Sequence, residues 1–238
     1  MELTILGCDG PFPSADGATS GYWLHHEATD LLLDCGSGVL GMLSSRMHPA
    51  DLTAVLLSHW HYDHVCDLLP LLYRLEIERR RLTVYAPADE SSAIRRLLSA
   101  HPMIDLHTIA PGDRLTVGGI GVQVFEARHP VPAVMFRLSA DGKTLCYSGD
   151  TNTTPDLLPF ADHADWLLID GLFPADQWSE AKPHLSALLA AGVARDAQVK
   201  NVIITHLSPL IDPVQLLREI RTVRPDGMLA RRGCRIHL

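Results

Sequence analysis

The segment that most constrains this chain runs from Ala54 to His64. Ala54-Val55-Leu56-Leu57-Ser58 has the character of a buried strand, and it leads directly into His59-Trp60-His61-Tyr62-Asp63-His64. In an extended chain, residues two apart point to the same side, so His59 and His61 can aim at one ion. Asp63 and His64 then lie past the strand end and can address a second. Three imidazoles and a carboxylate within six residues are costly to bury without a partner. Neutral imidazole with carboxylate suits zinc, although manganese and iron accept the same ligands.

Around this segment, short apolar runs bordered by turn residues read as strands: Leu3–Leu6, Gly21–Leu24, Leu31–Asp34, Ala54–Leu57, Leu82–Tyr85, Val122–Phe125, Val134–Leu138, Thr144–Tyr147, Trp166–Ile169 and Val202–Thr205. Helices are expected over Val65–Arg80, Glu90–Ala100, Leu185–Ala197 and Val214–Val223. Pro70 places the true start of the first nearer that residue. Asp89 and Ser91-Ser92 supply caps for the second, and Pro213 after Asp212 starts the fourth. Asp141-Gly142 is a hairpin turn. Strands dominate the middle with helices interspersed near both ends, which favours mixed sheets with helices on their outer faces. No compositional break divides the chain, so one domain over residues 1–238 is expected.

The formal charge of −8 counts against extensive nucleic-acid contacts but not against a small phosphate substrate. The five cysteines are scattered and never form a CxxC pair, which argues against a disulfide framework and a thiolate zinc site. The N-terminus lacks a basic segment followed by an apolar core, and no apolar stretch approaches the ~20 residues that span a bilayer. A soluble cytoplasmic protein is the expectation.

Further candidate ligands stand at strand ends. His129 follows Val122–Phe125, Asp150 follows Thr144–Tyr147, and His206 follows Val202–Thr205. Polar residues at successive strand termini can converge on one rim of a sheet. Asp150 is the natural bridge between two cations.

This ordered set is similar to that of the metallo-β-lactamase superfamily. It comprises Asp34 in Leu33-Asp34-Cys35-Gly36-Ser37-Gly38, the HxHxDH run, His129, Ser148-Gly149-Asp150-Thr151 and His206. The resemblance implies a four-layer αβ/βα sandwich with a binuclear metal site at the sheet edges. His59, His61, His129 and Asp150 would hold one metal; Asp63, His64, Asp150 and His206 would hold the other. Asp34 would orient a histidine ligand.

Within the superfamily the chain more closely resembles the ribonuclease Z-like phosphodiesterase branch. His184, in Pro183-His184-Leu185-Ser186, matches that branch's histidine ahead of the last metal-binding strand. Asp170 falls where the branch usually has a glutamate that pairs with it, so whether the shorter side chain reaches is open. Such a pair would let His184 protonate a leaving alkoxide or stabilise phosphate charge. The expected reaction is attack of a metal-activated hydroxide on a small phosphodiester, a cyclic nucleotide or a short oligonucleotide.

The branch's transfer-RNA 3′-processing endonucleases commonly carry a long arm before the bridging aspartate. Here about twenty residues join His129 to Asp150. Tyr62 and Asp67 stand where those enzymes have glycines. Transfer-RNA processing is therefore an alternative, as are lactone or thioester hydrolysis on the same metal core and a non-catalytic metal-binding role. The resemblance also implies a homodimer, and the leucine-rich stretch from Asp67 to Tyr73 suits either a core or a subunit contact. The remaining histidines, His25, His26, His48, His101, His107, His163 and His237, are assigned to surface or packing.

Overall fold

Neighbouring leucines in the strand Thr29–Leu33 enter two different cores. Leu31 and Leu33 pack into the layer between two sheets, whereas Leu32 faces the opposite side. Ala54 and Leu56 alternate with Val55 and Leu57 in the same way. Side chains alternate across a strand, so a strand covered on both faces reads as an unbroken apolar run.

The computed structural model describes residues 1–238. Its strands are β1 (Glu2–Gly7), β2 (Gly21–His26), β3 (Thr29–Leu33), β4 (Ala54–Leu56), β5 (Leu82–Pro87), β6 (Ile104–Ile109) and β7 (Arg114–Val117), followed by β8 (Ile120–Glu126), β9 (Val134–Ala140), β10 (Lys143–Tyr147), β11 (Trp166–Asp170), β12 (Asn201–Thr205), β13 (Met228–Leu229) and β14 (Arg235–His237). The α-helices are α1 (Val39–Ser44), α2 (Tyr62–Val65), α3 (Leu68–Glu78), α4 (Ala93–Ser99), α5 (Leu157–Ala161), α6 (Ala187–Asp196) and α7 (Pro213–Val223). One seven-stranded sheet runs β14-β1-β2-β3-β4-β5-β6 and the other β13-β12-β11-β10-β9-β8-β7. Each is mixed: β3 to β6 are parallel in the first, and β10 to β13 in the second.

The two sheets enclose one apolar layer that includes Tyr22, Leu24, Phe136 and Leu168. On the outer face of the first sheet, Val39, Leu43, Leu71, Leu75, Ile94 and Leu98 bring α1, α3 and α4 down. Phe160, Ala190, Ala194, Leu216 and Ile220 bring α5, α6 and α7 onto the second. This is the expected αβ/βα sandwich. None of its helices is long and apolar enough to cross a membrane.

Ser92, Ser186 and Asp212 cap α4, α6 and α7 with side-chain oxygens. The expected helix Val65–Arg80 is α3, which starts at Leu68, near Pro70 as expected, and runs to Glu78; of the expected span only Val65 falls in the preceding turn α2. The break between α2 and α3 has a tertiary cause: Cys35 N–H donates to His64 O at 2.7 Å, and Asp67 N–H donates to Cys35 O at 3.0 Å. Those two bonds tie the turn to the loop after β3 instead of continuing the helix. Asp67 uses its side chain elsewhere, accepting from Leu40 N–H at 2.8 Å at the start of α1, where Gly38 offers no side-chain cap. In the leucine-rich stretch, Leu68, Leu71 and Leu72 are core, while Tyr73 is exposed.

Asp67→Ala should lower the unfolding free energy in a denaturant titration by about 1 kcal/mol, the usual value of a lost helix cap. Metal content should be unchanged.

Candidate metal centre

The strands β4, β8, β10 and β12 all deliver a side chain to one rim of the sandwich. Ligand atoms of His59, His61, His129 and Asp150 lie within 4.8 Å of one another, and so do those of Asp63, His64, Asp150 and His206. Every residue expected to hold a metal is therefore in one of two clusters, and Asp150 is in both. Its Oδ2 is 3.5 Å from His59 Nε2 and 4.0 Å from His129 Nε2, while its Oδ1 is 3.2 Å from His64 Nε2 and 3.3 Å from His206 Nδ1. Asp63 Oδ2 stands 3.6 Å from His64 Nε2 and 3.8 Å from His206 Nε2.

Burial makes these atoms informative. His59 Nε2, Asp63 Oδ2, His64 Nε2, Asp150 Oδ1 and His206 Nε2 are shielded from solvent and have no hydrogen-bond partner. Buried polar atoms are otherwise paired in folded proteins. Imidazole and carboxylate donors orphaned towards a common centre fit divalent cations.

The opposite ring atoms are held from outside. Asp34 is fully buried just past β3, and as a carboxylate it can only accept. Its Oδ2 takes hydrogen bonds from His64 Nδ1 at 2.7 Å, Ser58 Oγ at 2.7 Å and Tyr147 OH at 2.5 Å; its Oδ1 takes Ser58 N–H at 2.7 Å. Because Ser58 Oγ donates to Asp34, it accepts from His59 Nδ1 at 3.0 Å. Asp34 thus fixes His64 directly and His59 through Ser58, leaving both Nε2 atoms facing inward. His129 Nδ1 donates to Pro183 O at 3.1 Å. His61 presents Nδ1, 3.0 Å from His129 Nε2.

The backbone at two of these residues is strained. Asp34 has φ 56° and His206 has φ 58°, a left-handed conformation uncommon outside glycine. A Cβ on Gly10 would overlap the His206 ring, so only glycine allows the β1 loop to close over it.

Electrostatics keep most of the imidazoles neutral, the form that binds metal. Burial pushes His59 well below its ordinary pKa, and brings His129 to about 4 and His206 to about 3. Burial also disfavours charge on Asp150, but His206, His64 and His59 around it outweigh that and hold its carboxyl well below the usual range. His64 is the exception: burial opposes its charge, yet Asp150, Asp34 and Asp63 together raise it.

Asp170 does reach His184. His184 Nδ1 donates to Asp170 Oδ2 at 2.8 Å, although Asp170 is the shorter acid. A Cβ on Gly171 would overlap the Ile204 side chain, so glycine there lets the following chain lie close, and Phe173 bridges Ser186 beside it. Asp170 also accepts from Thr151 N–H and Leu172 N–H, both at 3.1 Å. Its oxygens are satisfied, which sets it apart from the orphaned cluster atoms even though Asp150, Asp170 and His184 lie within 4.8 Å of one another. Burial opposes charge on His184, but Asp170 and Asp150 outweigh it and raise its pKa to about 9. Its ring stacks on His206 at 4.9 Å and 22°.

Ser58, Tyr147, Asn152 and Trp178 escaped the sequence reading. Asn152 Nδ2 donates to Lys182 O at 2.5 Å, and its Oδ1 accepts from Trp178 Nε1 at 3.2 Å. Trp178 Nε1 also donates to His184 O at 3.1 Å, so the pair fixes the loop that carries His184. Their only sequence signal is nearness to Asp150 and His184. None of the seven histidines assigned to surface or packing enters either cluster.

Residues 29–207 match the family described as "Beta-lactamase superfamily domain". The chain belongs to the β-lactamase superfamily. It is 30% identical over 233 residues to the "Probable metallo-hydrolase YhfI" of Bacillus subtilis (strain 168), covering 94% of this chain and 93% of that protein. The crystal structure of YhfI superposes with a TM-score of 0.93 at 29% identity, covering 99% of this chain and 98% of that one. A "Ribonuclease Z" of Methanopyrus kandleri is 30% identical over 275 residues, covering 100% of this chain and 98% of that protein. Human tRNase Z, short form, shares the fold, with a TM-score of 0.81 at 21% identity over 100% of this chain and 99% of that one. This superfamily member is a metallo-hydrolase with His and Asp clusters able to bind metal.

Protein purified without chelator should carry two zinc equivalents per chain by elemental analysis. His206→Ala should lose one of them and Asp150→Ala both; an unchanged metal content in Asp150→Ala would rule out the shared carboxylate.

Proposed function

We propose that this metallo-hydrolase is a phosphodiesterase acting on a small phosphodiester, a cyclic nucleotide or a short oligonucleotide. The observation that carries this reading is His184, an imidazole anchored through Nδ1 to Asp170 and stacked beside His206 without belonging to either four-residue cluster. Hydrolysis of a phosphodiester expels an alkoxide, and that departure needs a proton donor. His184 answers the need: Asp170 holds its Nδ1, so Nε2 is the atom from which a proton would pass to the leaving oxygen.

His59, His61, His129 and Asp150 would hold one divalent cation; Asp63, His64, Asp150 and His206 would hold the second. Zinc is the expected ion for such donors. Bound there, the pair would supply Lewis-acid polarisation of the phosphoryl group and a more acidic water. Asp34, through Ser58 and His64, keeps two imidazoles aimed at the centre, and Asn152 with Trp178 keeps His184 at its edge.

Transfer-RNA 3′ processing is the second reading, favoured by the identity to the Methanopyrus ribonuclease Z over the whole chain. Two features weigh against it. Between His129 and Asp150 the chain forms only β9, the Asp141-Gly142 turn and β10 beyond a short loop. The arginine runs are also largely engaged, with Arg80 on Asp51 at 3.1 Å, Arg81 on Asp105 at 3.9 Å and Arg95 on Glu90 at 2.7 Å. We further propose a homodimer through the outer face of α3, where Tyr73 and Ile77 are 70% and 82% exposed one turn apart.

The zinc-loaded protein should hydrolyse bis(p-nitrophenyl) phosphate faster than an acyl-homoserine lactone, and should leave a transfer-RNA precursor uncut. His184→Ala should lower kcat by about 10²–10⁴-fold with metal content unchanged, as expected for loss of a general acid. Equal turnover in the wild type and His184→Ala would sink the phosphodiesterase reading. Ile77→Glu should shift the sedimentation coefficient from dimer to monomer.

A further inference from the structure

Away from the metal centre, β13 and β14 end the two sheets on the same side, and a cleft of about 940 Å³ opens there. Its floor is apolar: Ile5, Trp166, Ile203, Leu207, Leu217 and Leu229 line it. Its rim is basic, with Arg221 from α7 and Arg231, Arg235 and His237 from the C-terminal segment. Three arginines thus gather on one rim in a chain of net charge −8.

Their guanidinium groups are poorly neutralised. Arg235 and His237 share one acid, Glu2, at 3.7 and 3.2 Å. Arg221 and Arg231 have neither an ion pair nor a side-chain hydrogen bond, whereas Arg74, Arg80, Arg95, Arg195 and Arg224 each hold a carboxylate within 3.1 Å. An apolar floor under unpaired guanidinium groups is complementary to a molecule with a hydrocarbon chain and a carboxylate head.

We infer that this cleft binds a fatty carboxylate, its chain along Ile203, Leu217 and Leu229 and its head between Arg221 and Arg231. Burying methylene groups supplies affinity without direction. The guanidinium fork, matched to a planar carboxylate, supplies orientation. The cleft volume falls within the range of small-molecule pockets, ~300–1,000 Å³. A peptide added as an extra strand fits less well, because β13 and β14 offer only two and three residues of ladder. Leu207 places the cleft one residue from His206, on a segment pinned by Leu207 N–H to Cys8 O at 2.8 Å. The inference is independent of the phosphodiesterase reading.

Trp166 in the floor provides the readout. The metal-loaded protein is titrated with laurate below its micelle concentration, by calorimetry and by tryptophan fluorescence. Saturable binding is expected, with a fluorescence change that disappears in Trp166→Phe. Arg221→Ala/Arg231→Ala should bind about tenfold more weakly with an unaltered thermal unfolding curve, and inorganic phosphate should give no fluorescence change. The inference is overturned if laurate does not bind saturably, or if the double variant keeps full affinity. A fluorescence change that survives Trp166→Phe would place the laurate elsewhere, the metal centre included. Retention on anionic vesicles without any response to monomeric laurate would assign the patch to a membrane surface instead.

Discussion

Asp150 lies between two groups of histidines with one carboxylate oxygen towards each, and almost none of it reaches water. Around it, five imidazoles and a second carboxylate crowd together with several polar atoms unpaired. Such an arrangement is unfavourable by itself, since buried polar groups lose hydration that nothing replaces. Positive charge placed between the clusters removes the conflict, because each orphaned atom then has a partner. The rest of the molecule serves to keep these atoms aimed at one another in advance.

Much of that rigidity comes from Asp34. It accepts four hydrogen bonds, and through them His59 and His64 are fixed in tautomer as well as direction. Tyr147, the last residue of β10, brings the second sheet to the same carboxylate, so both halves of the sandwich are locked together beneath the centre. The left-handed backbone at Asp34 and His206 is strain confined to the site, held by the packed strands on either side. His184 is placed by a separate set of contacts, Asp170 from β11 and the Asn152–Trp178 pair, whereas the two His/Asp clusters draw on the ends of strands from both sheets.

The fold explains why the candidate ligands meet. Asp34, His59, Asp150 and His206 each follow a strand of a parallel ladder, and Asp170 ends another. Parallel strands bring their carboxyl ends to one side, where the connecting loops are free to carry chemistry. Helices on the outer faces leave only the rims accessible. One rim carries the two His/Asp clusters. At the lateral edge, where β13 and β14 finish the sheets, a basic-rimmed cleft with an apolar lining opens.

The sequence alone determined the strands that are buried on both faces, such as β3, β4, β9 and β12, because an unbroken apolar run records burial directly. It also pointed to the residues that the fold gathers into two His/Asp clusters, since histidine and aspartate immediately after such runs have few other uses. Weakly patterned elements were not legible. Strand β6 alternates with exposed polar residues, β13 and β14 are two and three residues long, and α5 carries Pro159 in its middle. The helix over Val65–Arg80 was legible, with Pro70 marking its start, but the separate turn α2 before it was not, because the break between them comes from hydrogen bonds to Cys35, distant in sequence. Only the tertiary structure decided that Asp170 reaches His184, that Ser58 and Tyr147 join Asp34, and that four arginine and histidine side chains surround an open cleft. Each of these is a distance between residues far apart in the chain, and such distances are set by how the sheets stack rather than by any local pattern.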